Sequence, residues 1–119
     1  MHSKGTIKGG CGNTGGHFNP YATVHAGPTE AVRHVGDLGN IVADKDGKVD
    51  TVIIDDRITL YEDQAEKDGK KRANVVGLAF VIHSGKDDMG KGTGLKAAGS
   101  KASGNAGTRV ACGTIKMLS

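Results

Sequence analysis

The stretch that decides the fold spans residues 17–37 and reads His-Phe-Asn-Pro-Tyr-Ala-Thr-Val-His-Ala-Gly-Pro-Thr-Glu-Ala-Val-Arg-His-Val-Gly-Asp. Prolines at positions 20 and 28 would interrupt a helix, and the spacing of the histidines does not suit one helix face, so a loop is predicted. Imidazole and carboxylate are ligands of tetrahedral Zn²⁺, and four of them leave no position for a substrate. The stretch therefore predicts a structural zinc site, in which metal binding and loop ordering are coupled. Its ligands are His17, His25, His34 and Asp37.

Each histidine also has a simpler interpretation, because a single loop histidine is more often a surface or capping residue than a ligand. Three histidines followed by Asp37, directly before the strand-like residues 38–43, favour the metal site over that alternative.

The rest of the chain favours an all-β fold. Its 119 residues are 36% hydrophobic, with 20 glycines and no Trp, which suits one domain with many turns. Alternating apolar residues over 52–60 predict a half-buried strand, paired antiparallel with residues 39–43 across a turn at Asp46-Gly47. The continuous apolar run 75–82 predicts a strand buried on both faces, and residues 108–117 predict the last strand.

Two connections are predicted between these strands. Residues 61–73 are charged and are expected to form a solvated loop with a turn at Asp68-Gly69. The segment 84–107 is rich in glycine and lysine and by itself indicates a flexible connection.

Charge and hydropathy argue against two classes of partner. The net charge is only +3 and aromatic residues are 3% of the chain, which gives no case for nucleic-acid binding. No stretch approaches the roughly 18–20 apolar residues of a membrane span. No apolar segment follows Met1 as a secretory signal would, so a cytoplasmic localisation is predicted.

Five segments carry a family resemblance. Residues 15–20 read Gly-Gly-His-Phe-Asn-Pro, and residues 33–40 read Arg-His-Val-Gly-Asp-Leu-Gly-Asn. Val-Ile-His at 81–83 precedes Asp-Asp-Met-Gly-Lys-Gly at 87–92, and residues 104–113 read Gly-Asn-Ala-Gly-Thr-Arg-Val-Ala-Cys-Gly. Together they resemble the zinc loop, a copper-ligand strand end, the electrostatic loop and the C-terminal signature of copper/zinc superoxide dismutases.

The resemblance implies a Greek-key β-barrel or sandwich of immunoglobulin-like type. It covers the C-terminal two-thirds of the family fold, so residues 1–119 are expected to form one N-terminally truncated domain without the first four strands. About four strands, a zinc loop and an electrostatic loop would remain. Because an incomplete barrel leaves strand edges unpaired, we expect association into a homo-oligomer, such as a dimer.

The resemblance also implies a second metal. Copper would be held by His2, His17 and His83, with His17 bridging copper and zinc, while the family's remaining copper histidine would fall before Met1. This ligand set is one short of the family's four. His83, His17 and Arg109 are the implied catalytic residues, with Arg109 leading the anion to copper.

Two supporting features are implied in the same way. Asp87 matches a carboxylate that links ligands of the two metals by hydrogen bonds. Cys11 and Cys112 match the family's disulfide, although free thiols are the usual expectation for a cytosolic chain.

The implied activity converts superoxide to oxygen and hydrogen peroxide. Copper, as Cu²⁺/Cu⁺, would carry the electrons, and zinc would be structural. Two alternatives stay open: a zinc-binding, catalytically weak or inactive relative, and an interaction module that pairs through its exposed half-barrel edge.

Overall fold

The computed structural model describes residues 1–62, 69 and 71–118. Its strands are β1 (Ile58–Thr59), β2 (Ala73–Asn74), β3 (Ala79–His83) and β4 (Arg109–Thr114). One α-helix, α1, spans Ala97–Ser103, and 3₁₀ turns occur at Cys11–Thr14 and Gly94–Lys96. No helix in these described ranges is long and apolar enough to cross a membrane.

The larger strand pair brings distant residues to one place. Strands β3 and β4 run antiparallel from Ala79↔Thr114 to His83↔Arg109, with an irregularity between Ile82 and His83. On the other side of β3, the N–H of His2 donates to the carbonyl of Ala79 (2.9 Å), and His2 also bridges to His17. The first residues of the chain therefore lie between the zinc-loop segment and β3.

The predicted strand over residues 52–60 is largely wrong. Only Ile58–Thr59 is a strand, and it pairs in parallel with Ala73–Asn74, while residues 39–43 form none. Val52 and Ile54 are 84% and 93% exposed. Alternation stabilises a strand only when a neighbouring strand and a packed face are present, and the described chain supplies neither here. The Asp46-Gly47 turn is confirmed: the N–H of Asp44 donates to the carbonyl of Lys48 (2.8 Å).

The predicted strand over 75–82 begins later than expected. A turn joins the N–H of Leu78 to the carbonyl of Val75 (3.1 Å), and Gly77 has φ of 85°, so the strand starts at Ala79. It is buried on one face only, because Phe80 is 41% exposed. Strand β4 lies within the predicted 108–117. Asp68 of the predicted Asp68-Gly69 turn, like most of its charged loop, lies outside the described residues.

Helix α1 lies inside the segment predicted to be a flexible connection. It ends at Gly104, whose left-handed φ of 77° is readily adopted only by glycine. The N–H of Gly104 donates to the carbonyls of Gly99 and Ser100. The segment 84–107 is therefore ordered in part by a capped helix.

The apolar core is small. The described hydrophobic residues that are fully buried are Val35, Val75 and Ala79. Many other buried residues are polar and include His2, His25, Arg33, His34 and Asp37. The interior is therefore organised around ionisable side chains, which must be paired or hold a metal to be stable there.

Candidate metal centre

Four side chains of the 17–37 loop converge on one point. The Oδ1 atom of Asp37 lies 3.0 Å from Nδ1 of His17, 2.9 Å from Nδ1 of His25 and 3.2 Å from Nδ1 of His34. All four ligand atoms lie within 4.8 Å of one another. We call these residues the four-residue group.

The loop backbone aims the carboxylate of Asp37. Its Oδ2 atom accepts the N–H groups of Ala26 (3.1 Å) and His34 (3.0 Å). Because Oδ2 is occupied, Oδ1 is the atom presented to the imidazoles. Burial raises the pKa of Asp37, but its contacts with the imidazoles of His17 and His25 outweigh burial and hold that pKa well below the usual range. The Asp37 carboxylate is therefore an anionic ligand at neutral pH.

The contacts of His25 show whether a cation fits the four-residue group. Its Nε2 lies 2.6 Å from Oδ1 of Asp87, which leaves Nδ1 facing Asp37. That Nδ1 is buried 2.9 Å from Oδ1 of Asp37, but it has no hydrogen-bond geometry to that atom or to any other among the described residues. Burial lowers the pKa of His25, but Asp37 and Asp87 more than offset it and raise the pKa to about 9. The site thus favours positive charge beside a nitrogen that faces a carboxylate without a hydrogen bond to it, and Zn²⁺ supplies that charge when it displaces a proton.

The second cluster, the three-residue group, consists of His2, His17 and His83. Nδ1 of His2 lies 2.8 Å from the carbonyl of Gly15, and Nδ1 of His83 lies 3.1 Å from that of Gly107. Since carbonyl oxygens only accept, both Nδ1 atoms carry the proton and both Nε2 atoms are lone-pair acceptors. These two Nε2 atoms are 3.1 Å apart. Two facing acceptors need a cation between them, so this group also fits a metal.

The protonation of His2 agrees with that role. Burial lowers its pKa to about 4, with the Gly15 hydrogen bond opposing and the charge of Arg109 adding to the decrease. A neutral imidazole is the form that binds metals.

His17 belongs to both groups. Its Nδ1 faces Asp37, and its ring centre lies 5.1 Å from that of His2 and 6.1 Å from that of His83. Because Nδ1 is engaged in the four-residue group, Nε2 is the atom left for the three-residue group. The structure therefore brings together every histidine that the sequence analysis assigned to zinc or copper.

Arg109 lies beside the three-residue group. It is the register partner of His83, and its Nη1 donates to the carbonyl of Cys11 and to Oγ1 of Thr14, both at 3.0 Å. The predicted disulfide is confirmed between Cys11 and Cys112, whose Cα atoms are 5.7 Å apart. The disulfide and the arginine both tie the 11–14 turn to β4.

Asp87 makes the predicted contact on one side of the centre. It accepts from His25 (2.6 Å), whereas the Nδ1 atoms of His2 and His83 contact backbone carbonyls. Asn40, which the sequence did not single out, fixes Asp87 through two hydrogen bonds: its Oδ1 accepts the Asp87 N–H (2.8 Å) and its Nδ2 donates to the Asp87 carbonyl (3.1 Å).

The end of α1 holds His25 in place. The N–H of His25 donates to the carbonyl of Lys101 (2.9 Å), and the N–H of Asp88 donates to that of Gly104 (2.9 Å). Any side chain at Gly104 would overlap both Asp87 and Nε2 of His25. The sequence offered one signal, a glycine after a short Ala-rich stretch, but not its position against His25 and Asp87.

Arg33 is a second residue that sequence reasoning missed. It is 3% exposed, and its guanidinium donates to the carbonyl of Asp37 and to the carboxylate of Asp55. Nothing in a lone arginine between Val32 and His34 indicates burial. It links residue 55, in the predicted hairpin, to the backbone of a candidate zinc ligand.

Comparisons with known proteins agree with this geometry. The sequence model of the family described as copper/zinc superoxide dismutase (SODC) matches residues 1–115. The chain is 44% identical over 118 residues to an extracellular copper/zinc superoxide dismutase of Haemonchus contortus. It is 43% identical over 115 residues to one of Brugia pahangi, and 42% over 119 residues to superoxide dismutase 4 of Dictyostelium discoideum.

These matches cover almost all of this chain but less of the relatives. They include 99%, 97% and 99% of the chain and 58%, 53% and 70% of the three relatives, so the chain spans little more than half of the first two. A crystal structure of the clock protein EA4 superposes with a TM-score of 0.81 at 42% identity, over 98% of this chain and 67% of that one. The predicted all-β, Greek-key class is confirmed, with two two-stranded sheets of it in the described chain.

Proposed function

This chain belongs to the copper/zinc superoxide dismutase family, and we propose that it converts superoxide to oxygen and hydrogen peroxide. The metals of this family are copper and zinc, and the two side-chain groups match a pair of cations. The observation that carries the proposal is the sharing of His17 between the two groups. The shared imidazole connects the four-residue group, whose ligand set is complete, to the three-residue group, which leaves a coordination position open.

We assign zinc to the four-residue group and copper to the three-residue group. The zinc assignment is supported by the burial of His25, His34 and Asp37 and by a full set of four N and O ligands. The copper assignment is supported by the all-imidazole chemistry of the other group, since imidazole suits copper. When bound, copper supplies one-electron transfer and zinc supplies only charge and order.

The chain's own residues supply the rest of the mechanism. The overall reaction consumes two superoxide radicals and two protons and yields one oxygen and one hydrogen peroxide. Arg109 places a positive charge near His2, whose pKa it lowers, and attracts the anion to the three-residue group. His17 holds and releases a proton at Nε2, while its Nδ1 stays against Asp37 and keeps the imidazole in the four-residue group. The hydrogen bonds of His2 and His83 to carbonyls keep their Nε2 lone pairs aimed at the same point.

One observation favours a second candidate function. The four-residue group is complete, whereas the other offers three imidazoles among the described residues. A zinc-binding member with weak or no dismutase activity, acting as a structural or interaction module, would need only the complete group.

We also propose that the chain acts as one domain over residues 1–119 and associates as a homo-oligomer, a dimer in the simplest case. Exposed apolar side chains on β3 and on the extended segment before β1 support this: Phe80 is 41% exposed and Ile54 93%. Sedimentation of a single monomeric species would contradict the association. Cytoplasmic localisation stays a prediction.

Native mass spectrometry of the metal-loaded chain, followed by pulse radiolysis, tests the activity. One copper and one zinc per chain, with superoxide decay that is second-order overall, first-order in protein and absent in His83→Ala, would support the dismutase. Zinc alone, with decay no faster than with His83→Ala, would favour the second candidate.

A further inference from the structure

A cavity of about 390 Å³ lies outside the metal centre. Its walls come from the 21–35 stretch of the loop and from residues 56, 57 and 71. No residue that lines it belongs to the four-residue or the three-residue group. Small-molecule sites have volumes of roughly 300–1,000 Å³, so the cavity is large enough for a small organic ligand.

The cavity walls carry a surplus of positive charge. Three cationic side chains line the cavity, those of Arg33, Arg57 and Lys71. Arg33 is neutralised by the carboxylate of Asp55. Asp56, which also lines the cavity, offsets one of the two charges that remain. The balance leaves a single positive charge and favours an anion as ligand.

The two other cations have only uncharged partners among the contacts described. Nη2 of Arg57 donates to the carbonyl of Glu30 (2.8 Å), and Nζ of Lys71 lies 4.6 Å from the centre of the Tyr21 ring. The contact with Glu30 fixes the Arg57 guanidinium but leaves its other N–H groups for a ligand. A guanidinium presents paired donors that match the two oxygens of a carboxylate.

The cavity wall also contains a donor that the described chain does not use. Nη1 of Arg33 donates to the carbonyls of Val35 and Asp37, and Nη2 donates to Asp55. Its Nε is buried and has no partner among the described residues. Since buried donors are nearly always paired in proteins, this wall has hydrogen-bonding capacity to spare.

The apolar part of the wall selects the class of anion. Ala31, Val32 and Val35 line the cavity beside the charged side chains. Apolar surface favours an organic body over a fully hydrated ion. The single surplus charge matches one carboxylate better than a phosphate dianion.

We propose that this cavity binds a small organic monocarboxylate, whose carboxylate contacts Arg57 and Lys71 and whose apolar body packs against Val32. The site is additional to the proposed dismutase activity and requires neither metal as a ligand. Its failure would therefore leave the copper and zinc assignments standing.

The test uses the full chain with zinc present and 4-fluorobenzoate as the probe. ¹⁹F NMR follows its titration, and native mass spectrometry counts the probe molecules per chain. We expect a saturable shift with one probe per chain. The neutral analogue 4-fluorobenzamide should bind about tenfold more weakly, because it lacks the charge that Arg57 and Lys71 attract.

Two matched pairs of variants locate the site. Lys71→Gln removes a lining charge, whereas Lys48→Gln removes an exposed charge that does not line the cavity. Val32→Trp fills the cavity without changing its charge, whereas Val42→Trp changes an 84% exposed residue elsewhere. We expect affinity for 4-fluorobenzoate to fall about tenfold in the first member of each pair and to stay within about twofold in the second.

Four results would overturn the proposal. They are the absence of a saturable shift, equal affinity for the benzamide, equal affinity in Lys71→Gln and Lys48→Gln, and displacement of 4-fluorobenzoate by an equal concentration of inorganic phosphate. The last result would show a general anion site in place of one for organic carboxylates. If Val32→Trp does not fold, the lysine pair still decides the outcome.

Discussion

The two metal-ligand groups share one imidazole but are built in different ways. The four-residue group comes from one loop of 21 residues, and its carboxylate is aimed by neighbouring N–H groups within that loop. The three-residue group takes His2 and His83 from distant parts of the chain and depends on backbone pairing of His2 with β3. The three-residue group therefore requires the sheet, whereas the four-residue group depends on its own loop and on the end of α1 and the Arg33 side chain that contact it. We therefore expect the two groups to respond separately to mutation and pH.

Removing one ligand from each group should separate them most strongly. We expect Asp37→Ala to weaken zinc binding by about 1,000-fold, because it removes the anionic ligand and leaves only three imidazoles. His83→Ala should weaken copper binding to a similar degree. Each variant should leave the other metal within about threefold, measured by chelator competition. Equal loss of both metals in both variants would show that the groups are one unit.

The second-largest expected effect is that of pH on zinc binding by the four-residue group. The pKa of His25 is raised to about 9 without metal, so the proton it holds stabilises the metal-free fold below about pH 6.5, and this contribution is lost as pH rises through 9. Zinc must displace that proton, so its affinity should rise about tenfold per pH unit up to pH 9. Calorimetric titration with zinc from pH 6.5 to 9.5 measures this. A flat profile would contradict the raised pKa.

Adding one methyl group at Gly104 should weaken zinc binding by about 30-fold. Gly104→Ala would push against Asp87 and Nε2 of His25, and its left-handed φ of 77° is unfavourable for alanine. Gly113→Ala is the control, because its Cβ would meet nothing within 4 Å among the described residues. Zinc competition assays should separate the two variants, and equal affinities would refute this role of Gly104.

A smaller effect on zinc affinity is expected from Asp55, which acts on Asp37 through Arg33. Asp55→Asn leaves the buried guanidinium of Arg33 without its carboxylate, which should loosen the backbone of Asp37 and reduce zinc affinity about tenfold. Asp50→Asn, an exposed residue of the same segment, should have no effect. Hydrogen exchange of the 33–37 amides in the zinc-bound protein would also report the loosening. Unchanged protection and affinity would mean that Arg33 does not position Asp37.

The smallest effect concerns rate rather than binding. Arg109→Gln removes a charge close to the three-residue group, so we expect superoxide decay to slow about threefold to tenfold and to depend less on salt, with both metals retained. Lys91→Gln changes an exposed lysine of the 84–107 segment and should have a weaker effect. Pulse radiolysis at several ionic strengths makes the comparison. Equal salt slopes in the two variants would argue against guidance by Arg109.

The sequence predicted the parts of the site that are close together along the chain. Three histidines and Asp37 within one loop indicated a metal without any other information, because ligand type and spacing are local properties. The histidines proposed for copper and the Cys11–Cys112 pair were reached only through family resemblance. The disulfide joins residues 101 positions apart, and no local pattern encodes such a contact.

The sequence also misplaced the strand over 52–60 and did not indicate α1 or the burial of Arg33. Alternating residues such as Val52 and Ile54 indicate which side chains would face the core if the segment were a strand. Whether the segment is a strand depends on a partner strand, which only the folded chain can supply. Arg33 is buried because Asp55 and the Asp37 carbonyl meet it there. The sequence by itself thus determined the ligand chemistry, the turn at Asp46-Gly47 and the all-β class. Only the tertiary structure decided which nitrogens face each other, because long-range pairing and burial set the distance, orientation and charge of each group.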